Sequence, residues 1–302
     1  MKLLLLGKNG QVGWELQRAL APLGEIVALD FDSTGPLRAD FADPPSLAAT
    51  VRAVRPDAIV CAAAHTAVDK AESEPDLARR LNAEGPAVLA REAAALGAWL
   101  VHYSTDYVFD GSGAGPRDED APTGPLSVYG RTKLDGEEAI RASGCRHLLF
   151  RTSWVYGTRG GNFAKTMLKL AGERETLSVI DDQAGAPTGA ELLADVTAHA
   201  LRAAQVDASV AGTYHCVARG ETTWHGYATH VIEAARAAGR PIRVAADRIA
   251  AVPTSAFPTP ARRPLNSRLS TAKLERTFGF AMPPWQAGVD RLLAELFDRP
   301  AP

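Results

Sequence analysis

The chain has few cysteines, no long apolar run and no excess of either charge. Its 302 residues include three cysteines, Cys61, Cys145 and Cys216, widely spaced and with no C-x-x-C pair. That excludes a disulfide framework and a cysteine zinc site, and the thiols are expected to be small buried residues in a reducing, cytoplasmic setting. The apolar run at 3–6 stops at Gly7 and Lys8. It is too short for a signal-peptide core and far short of the roughly 20 residues of a membrane span. Lys plus Arg number 33 against 35 Asp plus Glu, a net charge of −2. This balance argues against a nucleic-acid binder and against a polybasic membrane arm. There is no internal repeat and no low-complexity tail. What remains is 46% apolar and 23% charged, the make-up of a globular protein with a core large enough to need no staples.

Short apolar runs alternate with amphipathic stretches in the first half. Strands are expected at 2–6, 25–30, 57–62, 98–104 and 146–152, and helices at 11–21, 44–54, 77–95 and 128–142. A break is expected at Glu72-Ser73-Glu74-Pro75. Strands that are apolar throughout and separated by helices imply an α/β fold with a doubly wound parallel sheet. Beyond Gly157 the rhythm loosens. Helices are expected at 162–171, 190–204, 224–238, 271–278 and 284–297, and short strands at 177–180, 212–216 and 242–245. The Pro-rich stretch 252–268 reads as a binding loop.

The first strand runs into Gly7-Lys8-Asn9-Gly10-Gln11-Val12-Gly13 and then a helix. In a dinucleotide loop Gly7 would permit the turn, Gly10 would admit the pyrophosphate, and Gly13 would let helix and strand pack closely. The helix N-terminus offers free N–H groups to phosphate. Asp30, 17 positions on, stands where an acid takes the adenosine ribose hydroxyls and disfavours a 2′-phosphate, and Asp32 adds to that. Tyr129 and Lys133 form a Y-x-x-x-K pair on one helix face. A neighbouring ammonium is expected to lower the phenol and fit it for acid–base work at a carbonyl or alcohol. Ser104 and Thr105 end the fourth strand, where ligands of open sheets bind.

The stretches 7–13 (GKNGQVG), 62–72 (AAAHTAVDKAE), 104–109 (STDYVF), 129–133 (YGRTK), 151–156 (RTSWVY), 162–166 (NFAKT), 182–188 (DQAGAPT) and 253–269 (PTSAFPTPARRPLNSRL) cover nearly the whole chain. Together they resemble the extended short-chain dehydrogenases/reductases, and among these the reductases of dTDP-activated 4-keto-6-deoxy sugars. The resemblance implies a Rossmann-type NAD(P)-binding domain at 1–157, with a return at about 190–220. A smaller C-terminal α/β nucleotide-sugar domain would occupy 158–302. It implies reduction of a C4 ketone to give dTDP-L-rhamnose. Tyr129 would supply the proton, Lys133 would hold the nicotinamide ribose, and Thr105 would hydrogen-bond the reacting oxygen. Asp106 and Trp154 would contact the sugar and Val68 would line its face. Gly10, Gln11, Val12, Asp30, Asp40, Phe41, Ala63, Ala64 and His65 would surround the cofactor, with Gly7 and Gly13 framing the loop. The family uses NADPH and some members NADH; because Asp30 and Asp32 oppose a strict NADPH preference, either is expected to serve. Some members dimerise around Mg²⁺, for which Glu15, Glu191 and Glu295 are the matching positions; the other reading is three exposed helix glutamates.

Further expectations concern single residues. Arg262, Arg263 and Arg268 are either cations for the diphosphate or plain surface arginines. Trp14, Trp224 and Trp285 are expected as core anchors, His102 as a packed or hydrogen-bonded ring. Two other readings stand beside the reductase. One is an epimerase or dehydratase of the same superfamily, although the Asp-Glu pair of dehydratases is missing where Asp106-Tyr107 follow Thr105. The other is a non-catalytic subunit like the regulatory subunit of methionine adenosyltransferase, which the intact Thr105, Tyr129 and Lys133 oppose.

Overall fold

The computed structural model describes residues 1–298, so the last four residues of the expected second segment lie outside the described residues. Six strands form one parallel sheet: β1 (Lys2–Leu6), β2 (Glu25–Leu29), β3 (Ala58–Cys61), β4 (Trp99–Thr105), β5 (Arg146–Thr152) and β6 (Gly212–His215). Their order is β6-β5-β4-β3-β1-β2. The strands are apolar on both sides because both faces are covered. Eight longer helices surround the sheet or build the second layer: α1 (Gln11–Leu20), α2 (Pro44–Val54), α3 (Gly85–Leu96), α4 (Val128–Ala142), α5 (Phe163–Glu173), α6 (Ala190–Val206), α7 (Trp224–Ala237) and α8 (Trp285–Phe297).

Alternate residues of each strand feed two cores. Leu3, Leu5, Val60, Val101 and Phe150 meet Leu16 and Leu20 of α1 and Leu193, Ala200 and Leu201 of α6. Leu4, Leu6, Ile59, Leu100 and Leu149 meet Leu47 and Val51 of α2, Leu89 and Ala93 of α3, and Ile140 of α4. Each such side chain contributes about 1.5–3 kcal/mol by leaving water. Because β2 and β3 lie on opposite sides of β1, the carboxyl ends of β1 and β3 open a crevice at the switch point.

The third crossover is broken as its sequence suggests. A helix ends at Ser73, Glu74 leaves helical geometry (φ −127°, ψ 53°), and Pro75 starts the next turn. The turn Arg80–Glu84 is π-helical and runs into α3. In the second layer α5, α7 and α8 pack around Tyr227, Val231, Trp285 and Val289. Leu177–Ile180 pairs in parallel with Ile249–Val252. The strand expected at 242–245 is absent. Arg243 and Val244 instead donate their backbone N–H groups to the Ala171 carbonyl (2.8 and 3.2 Å), closing the end of α5, and Val244 is buried there. The segment 252–268 is mostly loop, with one short turn at Thr254–Ala256.

Candidate active site

A cavity of about 770 Å³ opens over the crevice. Of the residues expected to bind, Gly7, Gly10, Gln11, Val12, Asp30, Asp40, Phe41, Ala63, Ala64, Val68, Thr105, Asp106, Tyr129, Lys133 and Trp154 line it. Gly13 and His65 do not. Gly13 lies beneath the loop, where an added Cβ would fall 1.9 Å from the Gly7 carbonyl oxygen. His65 is buried behind the wall; its N–H donates to Asn82 Oδ1 (2.8 Å) and its carbonyl accepts from Asn82 Nδ2 (3.1 Å).

The glycine loop fits a dinucleotide phosphate. Gly7 turns at φ +88°, and a Cβ there would strike the Ala63 nitrogen at 2.7 Å. Gly10 is the N-cap of α1 with no side chain capping the helix, so its first N–H groups are available beside the cavity. Asp30 ends the neighbouring strand, its carboxylate accepting from the N–H of Asn9 (2.9 Å) and of Phe31 (2.8 Å). Phe31, 77% exposed, stands at the rim; sequence reading gave it no role because an exposed aromatic in a loop carries no motif.

Ser127 caps α4 by accepting from the Gly130 N–H (3.1 Å), and Glu72 accepts from the Val128 N–H (2.8 Å). The first turn of α4 is thereby fixed against the cavity, with Tyr129 and Lys133 on one face. Burial pushes the Tyr129 phenol up to about 12; a hydrogen bond with Thr105 pulls it down and the charge of Asp106 pushes it up. This differs from the expected lowering by lysine. Lys133 is turned to strand β4, where its Nζ donates to the Tyr103 carbonyl (2.6 Å) and lies 3.0 Å from His102 Nε2. Burial lowers Lys133 to about 8, with Cys61 and Glu137 pulling it back up.

Thr105 Oγ1 donates to Asp106 Oδ1 (3.1 Å) and accepts from the Tyr107 N–H (3.2 Å). Ser267 donates a short hydrogen bond to Asp106 Oδ2. Burial pushes the Asp106 carboxyl up to about 6 against those two bonds. Trp154 sits at φ +49°, a conformation uncommon for any residue but glycine and concentrated at functional sites. Its ring stacks on Trp224 at 3.7 Å and 16°. Trp224 lines the cavity, so it is a wall of the site as well as a packing residue. Tyr107 meets Tyr129 edge-on at 5.4 Å. Ser267 and Tyr107 were within reach of sequence reading, since both stand inside motif stretches. Asn82, which also bonds Thr132 Oγ1 (3.2 Å), had no local signal.

Other expectations need correction. Trp14 is not a core anchor: it is 46% exposed, under the Arg159 guanidinium at 4.2 Å. Arg263 and Arg268 are already paired, with Asp69 (2.8 Å) and Glu221 (2.5 Å), while Arg262 is exposed. Glu15, Glu191 and Glu295, the positions offered for magnesium, do come near one another, with burial first and then the charges of Glu15 and Glu295 raising the Glu191 carboxyl. Among the described residues no group of three or more His, Cys, Asp or Glu is placed to hold a metal ion. Glu15 is engaged with Arg18 (3.2 Å) and Glu295 with Arg291 (3.1 Å). The three cysteines are free and buried, and among the described residues no helix is long and apolar enough to cross a membrane.

Known proteins are similar to this chain over nearly its whole length. The family model described as the RmlD substrate binding domain matches residues 1–297. A dTDP-4-dehydrorhamnose reductase of Shigella flexneri is 60% identical over 297 residues, covering 98% of each chain. Among solved structures, a dTDP-4-dehydrorhamnose reductase of Clostridium acetobutylicum is 35% identical with a TM-score of 0.88, covering 98% of this chain and 99% of its own. One from Bacillus anthracis, solved in complex with NADP, is 34% identical with a TM-score of 0.85, covering 97% of this chain and 99% of its own. By full-length identity, family match and shared fold, the chain belongs to the dTDP-4-dehydrorhamnose reductase family.

Proposed function

We propose that the chain reduces the C4 ketone of dTDP-4-dehydro-6-deoxy-L-mannose to dTDP-L-rhamnose, with a nicotinamide cofactor in the glycine-loop half of the cavity. The observation that carries this reading is the meeting of Thr105, Tyr129 and Lys133 in the same cavity as the uncapped glycine loop. Bound NAD(P)H supplies the hydride that reaches C4. The Tyr129 phenol holds the proton that goes to the C4 oxygen, and the Tyr129 O–H bond breaks as the new O–H bond forms. A phenol at about 12 is fully protonated at neutral pH and is a stronger acid than the alcohol being made, so the transfer is downhill. Thr105 hydrogen-bonds the reacting oxygen, and Asp106, Val68 and the Trp154 ring hold the sugar. Lys133 holds the nicotinamide ribose. No metal is required by these steps.

Both NADH and NADPH serve in this reading. The Asp30 carboxylate faces the place of the adenosine ribose and opposes a 2′-phosphate, while the B. anthracis relative was solved with NADP. We take 1–157 with 190–220 as the cofactor-binding unit and the remainder as the sugar-binding unit, in a cytoplasmic enzyme.

The test follows absorbance at 340 nm with each cofactor and the 4-keto-6-deoxy dTDP sugar made in situ. Stoichiometric oxidation yielding dTDP-L-rhamnose is expected. Tyr129→Phe is expected to lose about 10²–10⁴-fold in kcat while still binding cofactor. Absence of turnover in the wild-type protein would overturn the reading, and tightly held NAD in the purified protein would then point to an epimerase.

A further inference from the structure

His102 stands on β4 between Cys61 of β3 and Leu149 of β5, its partners in register. Both neighbours are buried and apolar, and His102 itself is 1% exposed. Packing alone would place an aliphatic side chain there. The ring instead brings one nitrogen, Nε2, to 3.0 Å from Lys133 Nζ. Its other nitrogen, Nδ1, is buried with no hydrogen-bond partner among the described residues. An ammonium has three donors and no acceptor. Nε2 must therefore accept, and the ring proton must sit on Nδ1, where it goes unsatisfied. A buried donor without an acceptor is costly, and that cost is incurred at a ring that touches Lys133.

We infer that His102 is a positioning residue of this site: its Nε2 and the Tyr103 carbonyl take two of the three Lys133 ammonium protons and leave the third for the cavity. The inference rests on the reductase reading, in which that third donor meets the nicotinamide ribose. Without His102 the ammonium is free to turn, and the charged form loses an acceptor that stabilises it. The groups facing Lys133 are Cys61 of β3, His102 and Tyr103 of β4, and Glu137 of α4, with Glu137 itself held by Arg151 of β5. Of these, Glu137 and Cys61 favour the charged lysine and burial opposes it. Burial and the lysine charge together keep His102 neutral.

The experiment compares wild type, His102→Leu and His102→Gln in the 340 nm assay as a function of pH. In His102→Leu we expect the KM for the reduced cofactor to rise at least ten-fold, with the KM for the sugar changed less than two-fold. Its alkaline limb of kcat/KM should move to lower pH. In His102→Gln, whose amide oxygen can accept, both effects should be largely reversed. Wild-type kinetics in His102→Leu, or equal impairment of both variants with the alkaline limb unmoved, would overturn the inference. Should His102→Leu fail to fold, ¹⁵N spectra of the wild-type ring give a second reading. They should show a neutral ring protonated on Nδ1, and a ring protonated on Nε2 would overturn the inference without any variant. If wild type itself does not turn over, it is the reductase reading that falls, while the ring tautomer still decides the contact.

Discussion

Asp106 is a carboxyl group held almost entirely out of water, 2% exposed, and it accepts hydrogen bonds from Ser267 and Thr105. Its folded-state value of about 6 lies above the ordinary 3.8. The folded protein therefore binds this proton more tightly than the unfolded chain does. The stability from that proton is fully present below about pH 4 and is lost as pH rises through about 6. Asp106→Asn keeps an acceptor for Ser267 and removes the buried charge. It should be more stable than wild type at pH 7 by about 1–3 kcal/mol and equal to it near pH 4, as urea unfolding at the two pH values would show. A gain of the same size at both pH values would refute the assignment. At this scale, legibility divided by sequence distance. Tyr129 and Lys133 could be read because four residues of helix fix their relation. Ser267 reaches Asp106 from 161 positions away, so although each stands in a stretch that carries the resemblance, their pairing was not legible.

Helix α4 carries Tyr129, Lys133 and Glu137 at successive i, i+4 positions, so one face bears a phenol, an ammonium and a carboxylate. Glu137 is fully buried and is gripped by Arg151 of β5 at 2.9 and 2.7 Å, with Arg141 at 3.0 Å and the Arg151 guanidinium over the Phe109 ring. Burial pushes the Glu137 carboxyl up, but Arg151 together with Ser104 and Arg141 outweighs it and the net value is below the ordinary one. Arg151→Met would leave the buried carboxylate with the half-exposed Arg141 as its remaining ion-pair partner and should cost up to about 3–5 kcal/mol, read as a lower urea midpoint. Adding Glu137→Gln should recover part of that loss, which is the signature of a buried charge short of a partner rather than of lost packing. The expected helix 128–142 matches α4, whose start is fixed by Ser127 as its cap. The segment 242–245 misled because Ile242 and Val244 flank Arg243 in the alternation of a half-buried strand. Its N–H groups found the end of α5 first, a choice made by tertiary neighbours.

Across the whole molecule, the alternation of apolar runs and helices was enough to read a doubly wound sheet, and the glycine loop placed its crevice. The sixth strand was expected at 212–216, with its return to the first sheet implied by the family resemblance; pairing of Gly212–His215 with β5 fixes its place at the sheet edge. That strand and α6 complete the core around Leu16, Leu20 and Val101. A fragment of residues 1–157 would leave that apolar face uncovered. It should show no cooperative thermal transition and should bind the dye ANS, whereas the full chain should melt in one step. A cooperative fragment would mean that α6 and β6 are an accessory layer.

The late arrival of β6 also shapes how the chain is born. About sixty residues separate Thr152 from Gly212, and ribosomes add about 5–20 residues per second. For about 3–12 s, β5 with its Leu148, Leu149 and Phe150 is the open rim of an unfinished sheet. An unpaired apolar rim is a template for foreign strands. The step most exposed to misassembly and to chaperone capture is therefore the interval on the ribosome between those two strands, long before the cavity has a second wall.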